Sequence, residues 1–156
     1  MTRAEKIQNY IAAQDRIISV LENETNPITV MAFTAAILKE TFPDFYWVGF
    51  LLVERNGMTL GPFQGPPACI RLSLDSPGVC GTCYRTAQPV LVPDVTAFQG
   101  RVGCDVLSKS EIALPVLNGN RVMAVLDIDC TELAGLDEVD QRELHEIVRF
   151  VASRFQ

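Results

Sequence analysis

The segment Met123-Ala124-Val125-Leu126-Asp127-Ile128-Asp129 carries two carboxylates two residues apart. Side chains on a strand alternate faces, so Asp127 and Asp129 are expected to point the same way, about 7 Å apart at the usual rise. Met123 and Val125 precede them on that face, while Ala124, Leu126 and Ile128 form the other. Paired acids at the end of an apolar stripe can hold an ammonium group, or keep a proton and donate it if partly buried. A solvated strand end is the plainer alternative. Glu111 opens the neighbouring segment, and a tight turn at Asn118-Gly119-Asn120 brings it opposite Asp127 and Asp129. Three acids at one end of a sheet are costly unless a cation or a proton is shared among them. A role as a structural cap remains open for Glu111.

Five cysteines supply the second chemistry: Cys69, Cys80, Cys83, Cys104 and Cys130. Their number is odd and their density too low for a disulfide scaffold, so metal binding, thiol chemistry and core packing all stay open. Cys104 falls in an irregular stretch as Gly103-Cys104-Asp105 with Arg101 nearby. A loop thiol beside a cation ionises more readily and can act as a nucleophile, whereas a buried thiol is inert. Cys80-Gly81-Thr82-Cys83 has C-x-x-C spacing, but zinc needs two further ligands from Cys69, Cys104 and Cys130 and there is no second C-x-x-C. A thioredoxin-type role lacks its parallel βαβ context. The one histidine, His145, lies beside Glu143 and Glu146 on what reads as a solvated helix face, so a multi-histidine metal site is excluded.

These residues need elements to hold them. Ile7, Tyr10, Ile11, Ile17, Ile18 and Leu21 recur at helical spacing, predicting a helix over roughly 2–22, and Asn26-Pro27 starts a second one reaching about Thr41. Phe45 to Val53, rich in aromatic and β-branched residues, reads as a buried strand returning through Asn56-Gly57 into Met58 to Phe63. Cys69 to Leu74 is a further strand candidate, Gly78 to Thr86 a short helix, and Pro89-Val90-Leu91-Val92-Pro93 a short, proline-bounded edge strand. The stretch from Asp94 to Ser110 has no period and is long for a structureless loop, a hint of function. Glu111 to Leu117 and Arg121 to Asp129 form a second hairpin, and a last amphipathic helix follows Asp137 as N-cap. The order predicts an α+β domain with helices packed against one mostly antiparallel sheet.

Composition narrows the partners. In 156 residues, 48% are apolar and 21% charged, enough core for one domain and too little chain for two comfortable ones. A net charge of −6 repels phosphate backbones and anionic lipid, so neither nucleic acid nor membrane is expected. The longest apolar run, Phe45 to Val53, is too short to span a bilayer, and Met1 to Lys6 leads into a charged helix rather than a signal peptide. A cytoplasmic location is the expectation.

Taken together, Leu60-Gly61-Pro62-Phe63-Gln64-Gly65, Ala68-Cys69-Ile70-Arg71, Gly78-Val79-Cys80-Gly81-Thr82, Pro93-Asp94-Val95, Cys104-Asp105, Ser110-Glu111-Ile112 and Val125-Leu126-Asp127-Ile128-Asp129 resemble the free methionine-R-sulfoxide reductases, stand-alone GAF-domain enzymes. The resemblance runs from about Trp47 to Asp129. It implies a single GAF domain over residues 1–156, with terminal helices on one side of the sheet and a short helix and long loop covering a ligand pocket. It also implies reduction of free L-methionine (R)-S-oxide with thioredoxin as reductant and no cofactor. Cys104 matches the family's nucleophile, Cys69 its principal resolving cysteine, and Cys80 a further thiol able to join disulfide exchange. Glu111, Asp127 and Asp129 match its substrate-binding carboxylates, and Trp47 an aromatic wall of the pocket. The chain departs from the family in having Leu51 where a Tyr is usual, Thr96 for a common His, and Arg101-Val102-Gly103 before the nucleophile. The family often forms dimers, so the N-terminal helix could pack on its own sheet or on a partner's. A non-enzymatic GAF ligand-binding or redox-sensing module and a zinc-stabilised structural protein are the competing readings, separated by catalytic turnover and by metal content.

Overall fold

The computed structural model of the chain describes residues 1–104 and 107–156. Two helices, α1 (Arg3–Leu21) and α2 (Pro27–Thr41), precede the strands β1 (Phe45–Glu54), β2 (Gly57–Gln64) and β3 (Arg71–Leu72). A short helix α3 (Val79–Thr86), strand β4 (Val90–Val92) and a 3-10 turn at Val95–Ala97 follow. The chain ends with β5 (Ser110–Asn118), β6 (Arg121–Cys130) and helix α4 (Glu138–Ala152). The six strands make one antiparallel sheet in the order β3-β2-β1-β6-β5-β4. This is the α+β arrangement of helices against one antiparallel sheet expected from the sequence.

Both faces of the sheet follow from strand alternation. Val48 and Phe50 of β1, Ile112 and Leu114 of β5, and Ala124, Leu126 and Ile128 of β6 are fully buried in a core shared with α1, α2 and α4. Leu51, Ala113 and Val125 point the other way, into a smaller core under α3 with Val79, Cys80 and Cys83. Asn26 caps α2 through its side chain, with Pro27 in the first turn where its missing N–H costs nothing. Asp137 caps α4 and forms a reciprocal capping box with Asp140. Asp140 is fully buried and accepts from Lys6 Nζ and Tyr10 Oη, both at 2.7 Å, tying α1 to α4.

Three expectations change. Of the apolar stripe read on α1, Tyr10, Ile17 and Leu21 are buried but Ile11 and Ile18 are exposed. The helix packs on α2 and α4 rather than directly on a sheet, so a narrower face suffices. The strand expected over Cys69 to Leu74 shrinks to Arg71–Leu72: Cys69 before it joins a disulfide, and a turn closed by Ser76 N–H on the Ser73 carbonyl follows it. The first hairpin turns on Arg55 and Asn56, with Glu54 opposite Gly57, one residue earlier than Asn56-Gly57 suggests. The other hairpin turns at Gly119-Asn120 with Gly119 at φ +61°, and the edge position of β4 is as expected. That edge explains Pro115: β4 pairs only as far as Ala113, leaving the outer side of β5 open where a proline is tolerated. Between Asp94 and Ser110 the 3-10 turn is the only regular element among the described residues. No helix among the described residues is long and apolar enough to cross a membrane.

Candidate active site

The site begins as a row of residues fixed by strand register. Trp47 on β1 pairs with Asp129 on β6, Asp129 pairs with Glu111 on β5, and Glu111 pairs with Val92 on β4. In the next row on the same face, Gly49 pairs with Asp127 and Asp127 with Ala113. The three acids therefore converge at one end of the sheet. Gly49 is required there: a Cβ would sit 2.4 Å from the Trp47 ring and 2.6 Å from Phe63 Cβ. The indole leans over this gap, stacks on Phe63 with centroids 5.6 Å apart, and donates Nε1–H to the Pro66 carbonyl at 3.0 Å.

The helix α3 closes the other side. Its N-terminal turn brings Cys80 over the acids, so that Cys80 Sγ and carboxylate oxygens of Glu111 and Asp127 all lie within 4.8 Å of one another. Gly81 lets the helix sit this close, because a Cβ there would be 2.0 Å from the Ser76 carbonyl oxygen. Arg85 anchors the same carbonyl with a 2.6 Å hydrogen bond.

The third wall is covalent. Cys69, between β2 and β3, and Cys104, in the long loop before β5, form a disulfide with Cα atoms 5.3 Å apart. Trp47, Cys69, Cys80, Cys104, Glu111, Asp127 and Asp129 all line one pocket. Its apolar lining comes from Leu51, Leu72, Val79, Val95, Phe98 and Val102, and Arg101 supplies a cation. Asp105, which follows Cys104 in the motif, lies outside the described residues. Cys83 is in the small core beneath α3 and Cys130 in the main core across the sheet, away from this pocket. His145 is exposed, as its sequence position suggests.

Sequence reasoning missed Ser108. It is buried and donates Oγ–H to Asp129 Oδ1 at 2.5 Å, orienting that carboxylate. A single serine in an aperiodic stretch carries no signal of such a role. Phe98 was invisible for the same reason.

Electrostatics separate the acids. Burial raises the Asp127 carboxyl well above its ordinary value, and the charges of Glu111 and Asp129 and a hydrogen bond with Glu111 push the same way. Glu111 is raised by burial too, but its hydrogen bond with Asp127 and the charge of Arg101 oppose the shift. Burial therefore keeps a proton on the Glu111–Asp127 pair at this end of the sheet. Burial, then the charges of Asp127, Glu111 and Asp129, hold the Cys80 thiol well above its usual range. A buried proton-bearing acid beside a carboxylate and a protonated thiol can donate to an oxygen and receive an ammonium in one pocket.

Relatives carry the same architecture. The GAF domain family matches residues 24–156. "GAF domain-containing protein A" of Dictyostelium discoideum is 40% identical over 97% of this chain and 95% of its own. The free methionine-R-sulfoxide reductase of Escherichia coli (strain K12) is 38% identical over 83% of this chain and 78% of its own length. The crystal structure of free methionine-R-sulfoxide reductase from Neisseria meningitidis, in complex with its substrate, superposes with a TM-score of 0.93 at 38% identity, covering 99% of this chain and 93% of that one. This chain belongs to the free methionine-R-sulfoxide reductase family. Leu51 is 4% exposed and keeps its wall of the pocket apolar.

The thiol environment of this reductase family member makes a direct prediction. Cys80, Cys83 and Cys130 are buried, and burial pushes both Cys83 and Cys130 up to about 12. At about pH 8 the folded, oxidised protein is expected to show essentially no thiol reactive with an aromatic disulfide reagent. Unfolding is expected to reveal three, and reduction before unfolding five. A fast-reacting thiol in the folded oxidised protein would contradict the burial assigned to these groups.

Proposed function

We propose that the chain reduces free L-methionine (R)-S-oxide to L-methionine, with Cys104 as nucleophile, Cys69 as resolving cysteine and thioredoxin or a similar dithiol as reductant. The observation that carries this reading is the Cys69–Cys104 disulfide in the same pocket as Glu111, Asp127 and Asp129. A sulfoxide oxygen leaves sulfur readily only when protonated or strongly hydrogen-bonded. The Glu111–Asp127 pair holds the proton for that purpose, while the ionised acids take the substrate's ammonium and Trp47 lies against the thioether. The Cys104 thiolate attacks the sulfoxide sulfur, and oxygen passes to Cys104 as methionine departs, leaving a sulfenic acid. The Cys69 thiol condenses with it, forming the disulfide and releasing water. Exchange with an external dithiol then restores both thiols.

Residues 1–156 act as one GAF domain in this reading, since Tyr10 of α1 shares the main core and bonds to Asp140 of α4. A reducing compartment such as the cytoplasm supplies the dithiol the cycle needs.

The test is NADPH oxidation coupled through thioredoxin and its reductase, with the free R epimer, the free S epimer and a peptide-bound sulfoxide. Turnover is expected with the free R epimer alone. The same disulfide could serve a redox sensor, so a single stoichiometric oxidation without turnover would refute the reductase reading.

A further inference from the structure

We propose that Cys80, Glu111 and Asp127 form a binding site for a thiophilic divalent cation of the Zn²⁺ or Cd²⁺ class, inside the pocket described above. One sulfur and two carboxylate oxygens lie within 4.8 Å of one another. A tetrahedral zinc ion with donors at about 2.0–2.3 Å separates them by roughly 3.5 Å, so closure by about an ångström completes the set. A second observation at the same place points to a ligand. Asp127 Oδ1 is buried and has no hydrogen-bond partner among the described residues, although Asp127 lines the pocket. Buried polar atoms are nearly always satisfied, and a cation at this position satisfies it.

The donor chemistry suits a borderline-soft ion. One thiolate and two carboxylates outweigh the charge of a dication and leave its fourth position for water or a substrate group. On binding, the Cys80 thiol and the acid pair release their protons to solvent and donate electron pairs to the metal, with no change of oxidation state. The ligand set differs from the cysteine cluster weighed on the sequence. Cys69 and Cys104 are consumed in the disulfide, and Cys83 and Cys130 lie elsewhere. Because none of its three ligands belongs to the disulfide, the site exists in the oxidised and the reduced protein alike. A bound cation occupies the carboxylates assigned to the substrate's ammonium, so it acts as a competitive inhibitor. That consequence rests on the function proposed above, whereas the binding does not.

The experiment titrates the full-length oxidised protein with Cd²⁺ and follows the ultraviolet thiolate-to-cadmium charge-transfer band. With Cys69 and Cys104 blocked by their disulfide, Cys80 is the only thiol that can ligate in the pocket. One Cd²⁺ per chain is expected, with release of protons to the buffer. The band is expected to vanish in Cys80→Ser and to persist in Cys83→Ser and Cys130→Ser. Asp127→Asn is expected to weaken binding at least about 100-fold, beyond the range usual for changes outside the ligand shell. No band at millimolar Cd²⁺, or a band that survives Cys80→Ser, overturns the proposal. Should Cys80→Ser not fold by circular dichroism, unaltered affinity in Asp127→Asn overturns it instead. Turnover of the sulfoxide without cadmium binding removes this inference alone, and cadmium binding without turnover removes the reductase reading alone.

Discussion

Replacing Cys104 with serine is expected to lower kcat/KM for free methionine-R-sulfoxide by at least about 10³-fold, since a neutral hydroxyl is a far weaker nucleophile than a thiolate. Cys69→Ser is expected to behave differently. It should release one methionine per chain in a rapid-quench experiment and then stall as a Cys104 sulfenic acid, visible by mass as a trapped adduct. Cys80 shares the pocket, but burial and the neighbouring acids keep its thiol protonated near neutral pH, so it substitutes poorly as resolving group. Steady-state turnover at the unmodified rate in either variant would refute the assignment of the two sulfurs.

Asp127→Asn is expected to separate activity from stability. Disrupting the pair that holds the proton should lower kcat/KM by about 10²–10⁴-fold, the usual range for general acid catalysis. The same change should stabilise the fold near neutral pH. Asp127 has a raised folded-state pKa, first from burial and then from the charges of Glu111 and Asp129. Its contribution to stability is therefore complete below the unfolded-state value and is lost as pH rises through the folded one. Asparagine does not titrate and escapes that loss. A higher Tm than that of the unmodified protein is expected at about pH 7, with the gain shrinking to nothing towards pH 4. Thermal melts across this range decide it. A variant less stable at neutral pH, or a gain that persists in acid, would mean that Asp127 is not the group strained by burial.

Period and turn chemistry made most of the sheet legible in advance. Alternation along Met123 to Asp129 separated the core face from the pocket face correctly, and Asn118-Gly119-Asn120 located the turn, but Glu111 comes opposite Asp129 only through a register shift between Val116 and Leu117. Without that shift Glu111 would lie opposite Ile128 and face the main core, so the turn signal alone leaves the placement of the third acid open. Helix α3 was legible from its glycine entry, and the cap at Asp137 from its residue type. What composition cannot carry is contact between distant segments. Ser108 reaches Asp129 and Lys6 reaches Asp140 only because the folded chain brings them together. The meeting of Cys69 with Cys104 across 35 residues came from resemblance to a family, not from the spacing of thiols. The outward-facing Ile11 and Ile18 misled for a related reason, since a helical repeat does not reveal how wide a strip its neighbours cover.

The pocket joins two kinds of scaffold. Glu111, Asp127 and Asp129 are pinned by ladders in the interior of the sheet, whereas Cys69 and Cys104 ride on connecting segments outside it. A strand cannot shift without breaking its neighbours' pairing, but a connection can be lengthened, shortened or rewritten at modest cost. A change in the length or sequence of the Cys104 segment can thus alter how fast the sulfurs meet while the spacing of Glu111, Asp127 and Asp129 stays where the ladders hold it.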